Sequence, residues 1–181
     1  QLRNWKSNKV VKKLTMGLSQ MAKQREVEVI EGEGKFASSK QIIVNLNNGT
    51  KKMIGFKSAI IAAGSQSSKI PNTPDDERIM DSTGALELKD IPKKLLIIGG
   101  GIIGLEMGTV YDALGSDVSV VELSDGLIQG CDRDIVKPLH RRMEKRFENI
   151  WLKTKVTNIE TIKEGVVVYF EGDDVPEKLT F

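Results

Sequence analysis

The stretch LLIIGGGIIGLEMG, Leu95–Gly108, decides how this chain is read. Gly99, Gly101 and Gly104 satisfy G-x-G-x-x-G, with Gly100, Ile102 and Ile103 between them. Each glycine answers a different requirement. The first permits a tight turn out of a strand, the second lets a pyrophosphate approach the backbone, and the third lets the following helix pack closely on the strand. An anion then sits at the helix N-terminus, where free N–H groups and the helix dipole favour it. The pattern is weak alone, so its context matters. The apolar run KLLII, Lys94–Ile98, predicts a buried strand before it. Ile102 to Leu114 predicts a helix after it, with Gly115 placed for a left-handed C-cap.

The next strand, Val118 to Glu122, ends on an acid about 20 residues beyond the glycines, where a ribose ligand is expected. A carboxylate at Glu122 accepts hydrogen bonds from ribose hydroxyls and repels a 2′-phosphate. The residues that follow, LSDGLIQG, contain no Arg or Lys to receive that phosphate, so NAD is favoured over NADP. Glu106 is the one charge in IIGLEMGTV. On a helix expected to be covered, a lone carboxylate is costly unless paired, by a partner outside this chain or by a nicotinamide carboxamide; the alternative is an exposed first-turn glutamate favoured by the helix dipole.

Downstream, a helix is expected from about Arg133 to Glu148, with Ile135, Leu139, Met143 and Phe147 as its apolar stripe and Pro138 as a kink or a sign of a later start. Ile150 to Lys153, Val156 to Thr161 and Val166 to Phe170 read as strands, the last two as a meander. Upstream, Asp81 and Ser82 can cap a short helix through Leu88. Ser65 to Asp81, with Pro71 and Pro74, marks a domain boundary near Ile70. Before it, helical spacing of Val10, Val11, Leu14, Leu18 and Met21 predicts a helix from about Asn8 to Arg25. Strands are expected at Val27–Ile30, at Gln41–Leu46, at about Lys51–Phe56 after the Asn47-Asn48-Gly49 turn, and at Ala59–Ala62.

Bulk properties exclude other classes. The formal net charge is +2 over 181 residues and aromatics are 5%, which gives neither a field nor a stacking surface for nucleic acid. No apolar run is long enough to span a bilayer as a helix. One thiol, Cys131, forms no internal disulfide, which fits a cytoplasm-like compartment. One Cys and one His, His140, do not close a zinc site, and no metal is expected. The run Arg141, Arg142, Lys145 and Arg146, interleaved with Glu144 and Glu148, reads as a solvated helix face. Both ends of the chain look cut from something longer.

Three passages, in order, resemble the pyridine nucleotide–disulfide oxidoreductase family. EGEGKF (Glu31–Phe36) is similar to its G-x-G/A segment in the flavin domain. AIIAAGSQSSKIP (Ala59–Pro71) is similar to its A-T-G-S…P segment. DSTGALELKDIPKKLLIIGGGIIGLEMG (Asp81–Gly108) is similar to its S-S/T-x-A-L…P…G-G-G-x-I-G-x-E-x-G stretch. Within the family, the likeness is strongest to members that oxidise dihydrolipoamide.

The resemblance implies an α/β fold: a Rossmann-like dinucleotide-binding domain with a parallel sheet and a β-meander, preceded by a partial FAD-domain segment with a β-hairpin. Residues 1–69 would be the partial FAD-binding domain and 70–181 the NAD-binding domain, cut short at its C-terminal end. Gly99, Gly100, Gly101, Ile102, Ile103 and Gly104 would hold the NAD pyrophosphate, with Ile102 also near the nicotinamide pocket at the flavin. Glu106 would orient the nicotinamide, Glu122 would hold the ribose, and Val156 would lie against the adenine. Gly34 would touch the FAD adenosine, and Ala63, Gly64 and Ser65 would line its phosphates. Ala63 stands where the family usually has Thr.

The family's first G-x-G-x-x-G, redox Cys pair, downstream G-D segment and C-terminal His-Glu pair are not in this sequence. The chain alone is therefore expected to supply only the NAD-binding step. The parent is implied to be a homodimer, bound in some settings to a 2-oxo acid dehydrogenase complex, and cytoplasmic, or in the mitochondrial matrix of a eukaryote. A glutathione- or mercuric-type reductase and a non-catalytic nucleotide-binding fragment stay open as alternatives.

Overall fold

The computed structural model describes residues 1–68 and 70–181, in two compact units, Gln1–Ser65 and Gln66–Phe181. Lys69, at the expected domain boundary, lies outside the described residues.

The first unit opens on helical structure: α1 (Leu2–Trp5), a π-helical segment Lys6–Val11, and α2 (Lys12–Gln24). The helix therefore starts earlier than its apolar spacing predicts. QLRNWK carries no periodic apolar signal, and no capping side chain marks the start at Gln1. A three-stranded antiparallel sheet follows, in the order β1 (Gly32–Ser38), β2 (Gln41–Leu46), β3 (Lys51–Gly55). The β2–β3 turn is the expected one: Gly49 has φ 84° and its N–H donates to the Leu46 carbonyl at 2.9 Å.

Two expected strands are corrected. Val27–Ile30 is irregular, and the strand instead runs through the glycine segment, Gly32 pairing Leu46 and Gly34 pairing Val44. Backbone pairing needs no side chain, so these glycines serve as strand residues. Ala59–Ala62 forms no strand among the described residues, and Ile60 is 95% exposed. An apolar run becomes a strand only beside a partner whose ladder takes up its N–H and C=O groups.

The second unit is layered around a parallel sheet in the order β4 (Lys94–Ile98), β5 (Asp117–Val121), β6 (Asn149–Trp151). Strand alternation sends Leu95, Ile97, Val118 and Val120 to one face and Leu96 and Val121 to the other. The first face packs under α3 (Ser82–Glu87), α4 (Ile102–Ala113) and α5 (Arg133–Glu144), with Leu105, Tyr111, Val136, Met143 and Phe147 buried. The second is covered by an antiparallel meander, β7 (Lys155–Ile162), β8 (Gly165–Glu171), β9 (Lys178–Thr180), through Ile159, Val166, Val168 and Phe170. The segment before α3 belongs to this unit: Ile79 joins the meander core, Met80 joins the helix core, and Arg78 donates to the Ile162 carbonyl at 2.9 Å.

Asp81 caps α3 as expected, accepting from the Gly84 N–H at 2.9 Å. α5 begins at Arg133 and runs through Pro138, so the later start is not found, and it ends at Glu144, before the expected Glu148. Its buried stripe starts at Val136, while Ile135 is 69% exposed. Spacing by four drifts around a 3.6-residue helix, and the drift carries Ile135 outward.

Candidate dinucleotide-binding site

The site is built where β4 meets α4. Gly99 follows β4 with φ 107°, and its N–H donates to the Val121 carbonyl at 2.8 Å, so the turn is tied to the tip of β5. Gly104 lies under that turn: a Cβ added there would stand 2.4 Å from the Gly99 carbonyl oxygen and 3.0 Å from Ile97 Cγ2. Gly101, the N-cap of α4, meets nothing within 4 Å at its built Cβ. It has no side chain to cap the helix, so the first-turn amides of α4 face this open space. Strained turn, open approach and close packing are the three demands of the glycine pattern, each at its expected glycine.

Glu122 follows β5 and is half-buried beside the loop. Its Oε2 accepts from the Gly100 N–H at 2.7 Å and its Oε1 from the Ser124 N–H at 2.8 Å. Burial pushes its pKa up, but hydrogen bonds from Ser124, Gly100 and Leu123 outweigh that and hold it below the usual carboxylate value. The Gly100 and Ser124 amides each bond a different carboxylate oxygen, so the side chain is held from both sides. The backbone around it is fixed: Glu122 N–H donates to the Trp151 carbonyl at 2.8 Å, and its own carbonyl accepts from Thr154 at 3.0 Å.

The loop Leu123–Asp132 is part of this arrangement. Leu127 is buried, and the Ile128 N–H donates to the Gly100 carbonyl at 2.9 Å. Arg133 reaches back to carbonyls of the same loop. Nothing in the composition of the loop signals this docking.

Other expected site residues are placed as follows. Ile102 and Ile103 are exposed in the first turn of α4. Glu106 is exposed on α4, which corrects the expected burial and removes the desolvation argument for a partner. Val156 lies in β7 and packs into the meander core with Val121. In the first unit, Gly34 sits in β1, its built Cβ 3.5 Å from Ile42. Ala63, Gly64 and Ser65 are exposed irregular chain, with Gly64 at φ 70°.

Cys131 is an exposed free thiol, and His140 lies 3.6 Å from Glu144 on α5. Among the described residues no group of three or more His, Cys, Asp or Glu could hold a metal ion, and no helix is long and apolar enough to cross a membrane.

The family model for pyridine nucleotide-disulphide oxidoreductase matches residues 1–177. This chain belongs to that family. It is 51% identical over 177 residues to the dihydrolipoyl dehydrogenase of Vibrio parahaemolyticus, covering 97% of this chain and 37% of that protein. Against the mitochondrial dihydrolipoyl dehydrogenase of Dictyostelium discoideum, identity is 40% with 88% of this chain and 33% of the relative covered. Leghemoglobin reductase of Vigna unguiculata is 40% identical over 91% of this chain and 32% of its own length. Among solved structures, a HOCl-induced flavoprotein disulfide reductase from Escherichia coli superposes with a TM-score of 0.80 at 27% identity, covering 96% of this chain and 39% of that one. The chain thus spans about a third of the length of these proteins, from 32% to 39%.

Proposed function

We propose that this chain is the NAD(H)-binding portion of an FAD-dependent dihydrolipoamide dehydrogenase. In the parent enzyme, electrons would pass from dihydrolipoamide through a disulfide and FAD to NAD. Residues 70–181 act as the NAD-binding domain and 1–69 as part of the FAD-binding domain. The observation that carries the reading is the pairing of an uncapped α4 N-terminus, open at Gly101, with an ionised Glu122 bonded to the Gly100 amide.

The residues fit the cofactor's chemistry. The first-turn amides at Ile102, Ile103 and Gly104 would hold the pyrophosphate, and Gly101 would let it approach the backbone. Glu122 would accept from the ribose hydroxyls and disfavour a 2′-phosphate. Val156 would stand at the adenine, and Ile102 and Glu106 on the nicotinamide side. When bound, NAD supplies the hydride acceptor; this chain's residues bind and orient it. For FAD, the left-handed turn at Gly64 with Ala63 and Ser65 would follow its phosphates, and Gly34 its adenosine.

The dihydrolipoamide assignment rests on the 51% identity to the Vibrio enzyme. A reductase with another acceptor is the second reading, favoured by the 40% identity to leghemoglobin reductase. The parent would be a homodimer, in the cytoplasm or mitochondrial matrix, and able to join a 2-oxo acid dehydrogenase complex.

Calorimetric titration of the chain with NADH and with NADPH tests the reading. NADH binding at least tenfold tighter is expected from one hydrogen-bonded carboxylate. Equal affinities would overturn the role of Glu122, and binding of neither would overturn the site.

A further inference from the structure

Arg133 stands where helix electrostatics disfavour a cation. It is the first residue of α5, and the positive end of the helix dipole lies there. Its side chain donates to backbone carbonyls. Nη1 donates to Leu127 at 2.9 Å, Nη2 to Ile128 at 2.6 Å and to Cys131 at 2.8 Å, and Nε to Cys131 at 3.1 Å. The guanidinium fork thus gathers the far half of a loop that has no helix or strand of its own.

The gathered segment is strained. Ile128 has φ 46°, a left-handed conformation that a β-branched residue holds only where its surroundings over-determine it. The strain has a visible use, because two of the three clamped residues, Leu127 and Ile128, meet the glycine loop. The Ile128 N–H donates to the Gly100 carbonyl at 2.9 Å. Leu127 Cδ2 lies 2.5 Å from where a Cβ of Gly100 would be. The N–H of the same Gly100 donates to Glu122 Oε2 at 2.7 Å. The peptides on either side of Gly100 are therefore held between the clamped loop and the acid.

We propose that Arg133 is a positioning residue for dinucleotide recognition: by clamping Leu127–Cys131 it fixes Gly100, and through Gly100 it sets the Glu122 carboxylate against the cofactor's ribose. This rests on the reading of the glycine loop as the NAD site. The effect is one of geometry and not of charge, since the guanidinium is engaged by carbonyls. Lysine, with a single ammonium in place of a planar fork, cannot gather three carbonyls in the same way.

The test uses the full 181-residue chain and its R133A, R133K, E122Q and R133A/E122Q variants. Two quantities are measured: the NADH dissociation constant by calorimetry, and hydrogen exchange of individual amides by NMR without ligand. R133A is expected to weaken NADH about tenfold, as when one hydrogen bond to a charged group is lost, with R133K in between. Gly100 amide exchange should accelerate while amides inside β4 and β5 keep their protection. In the E122Q background, R133A should produce little further loss, because both changes remove the same interaction.

NADH binding by R133A equal to that of the unsubstituted chain would overturn the proposal. So would the same loss in both backgrounds, or acceleration of all amides together, either of which marks a merely structural role. Should R133A fail to fold, R133K carries the same comparisons, and unchanged Gly100 exchange in it refutes the clamp. An unsubstituted chain that binds no NADH overturns the site reading and this proposal with it. That outcome is distinct from a chain that binds NADH but is indifferent to Arg133.

Discussion

Substitution of Gly104 by Ala separates the packing role of the loop from its binding role when set beside the same change at Gly101. At Gly104 the added methyl would lie 2.4 Å from the Gly99 carbonyl oxygen and 3.0 Å from Ile97 Cγ2. The first neighbour is backbone and belongs to a turn already tied to Val121, so it cannot swing away as a side-chain tip would. α4 must lift from β4, and overpacking of this kind costs about 1–3 kcal/mol, here toward the upper end. At Gly101 nothing lies within 4 Å and φ is −79°, so alanine fits without strain. Its stability cost is that of a poorer N-cap, about 1 kcal/mol or less. The methyl does, however, occupy the space through which a pyrophosphate would reach the α4 amides.

Urea unfolding of both variants, with NADH titration of each, reads the two effects. Gly104→Ala should lose about 2–3 kcal/mol and bind weakly because the loop has moved. Gly101→Ala should unfold close to the unsubstituted chain and still lose at least tenfold in NADH affinity, a difference of about 1.4 kcal/mol. A Gly104→Ala variant within about 0.5 kcal/mol of the parent would refute the packing argument. Undiminished NADH binding by Gly101→Ala would refute the open-approach argument.

Three further outcomes are expected. Hydrogen bonds hold the folded-state pKa of Glu122 below the ordinary carboxylate value, so the group stabilises the fold above that ordinary value, and the contribution disappears as pH falls through the lower folded-state pKa; urea unfolding across acidic pH should show a shallower fall for Glu122→Gln than for the unsubstituted chain, and identical profiles would remove the Gly100 and Ser124 bonds from the account. Tyr111 is fully buried and its hydroxyl donates to the Ala85 carbonyl at 3.0 Å, linking α4 to α3; Tyr111→Phe should destabilise the chain by about 1 kcal/mol in thermal or urea unfolding, and no change would mean the bond carries no net stability. Leu127 is fully buried in the helix-side core, so Leu127→Ala should cost about 2–5 kcal/mol by urea unfolding, and a loss under about 1 kcal/mol would place the loop outside the core.

The second unit was the more legible in sequence because its signals are local and its partners lie within the chain. KLLII, the glycine pattern, the helix closed by Gly115 and the acid just after β5 each follow from backbone rules, and β4, α4 and β5 fall within a residue of where those rules put them. The first unit was less legible. Ala59–Ala62 has the composition of a buried strand, but pairing is a property of two segments and composition reports only one. The reverse error occurred at Gly32–Ser38, where glycines hid a strand held by its neighbour's backbone. At the site, Glu122 was found by its distance from the glycines. The docking of Leu127, Ile128 and Arg133 was not, because three carbonyls and a left-handed isoleucine leave no mark in residue type. Glu106 was misjudged for a related reason: apolar neighbours in sequence implied burial, but the helix turns that residue outward.

The central claim, that the glycine loop and Glu122 bind NAD(H), is tested most directly by following backbone amides of the labelled chain by NMR as NADH is added. The account predicts saturable shifts at the amides of Gly99 to Gly104 and at Glu122, with smaller changes at Val156. Saturable shifts centred anywhere else, or none at these residues at NADH concentrations that saturate intact dehydrogenases, would contradict it.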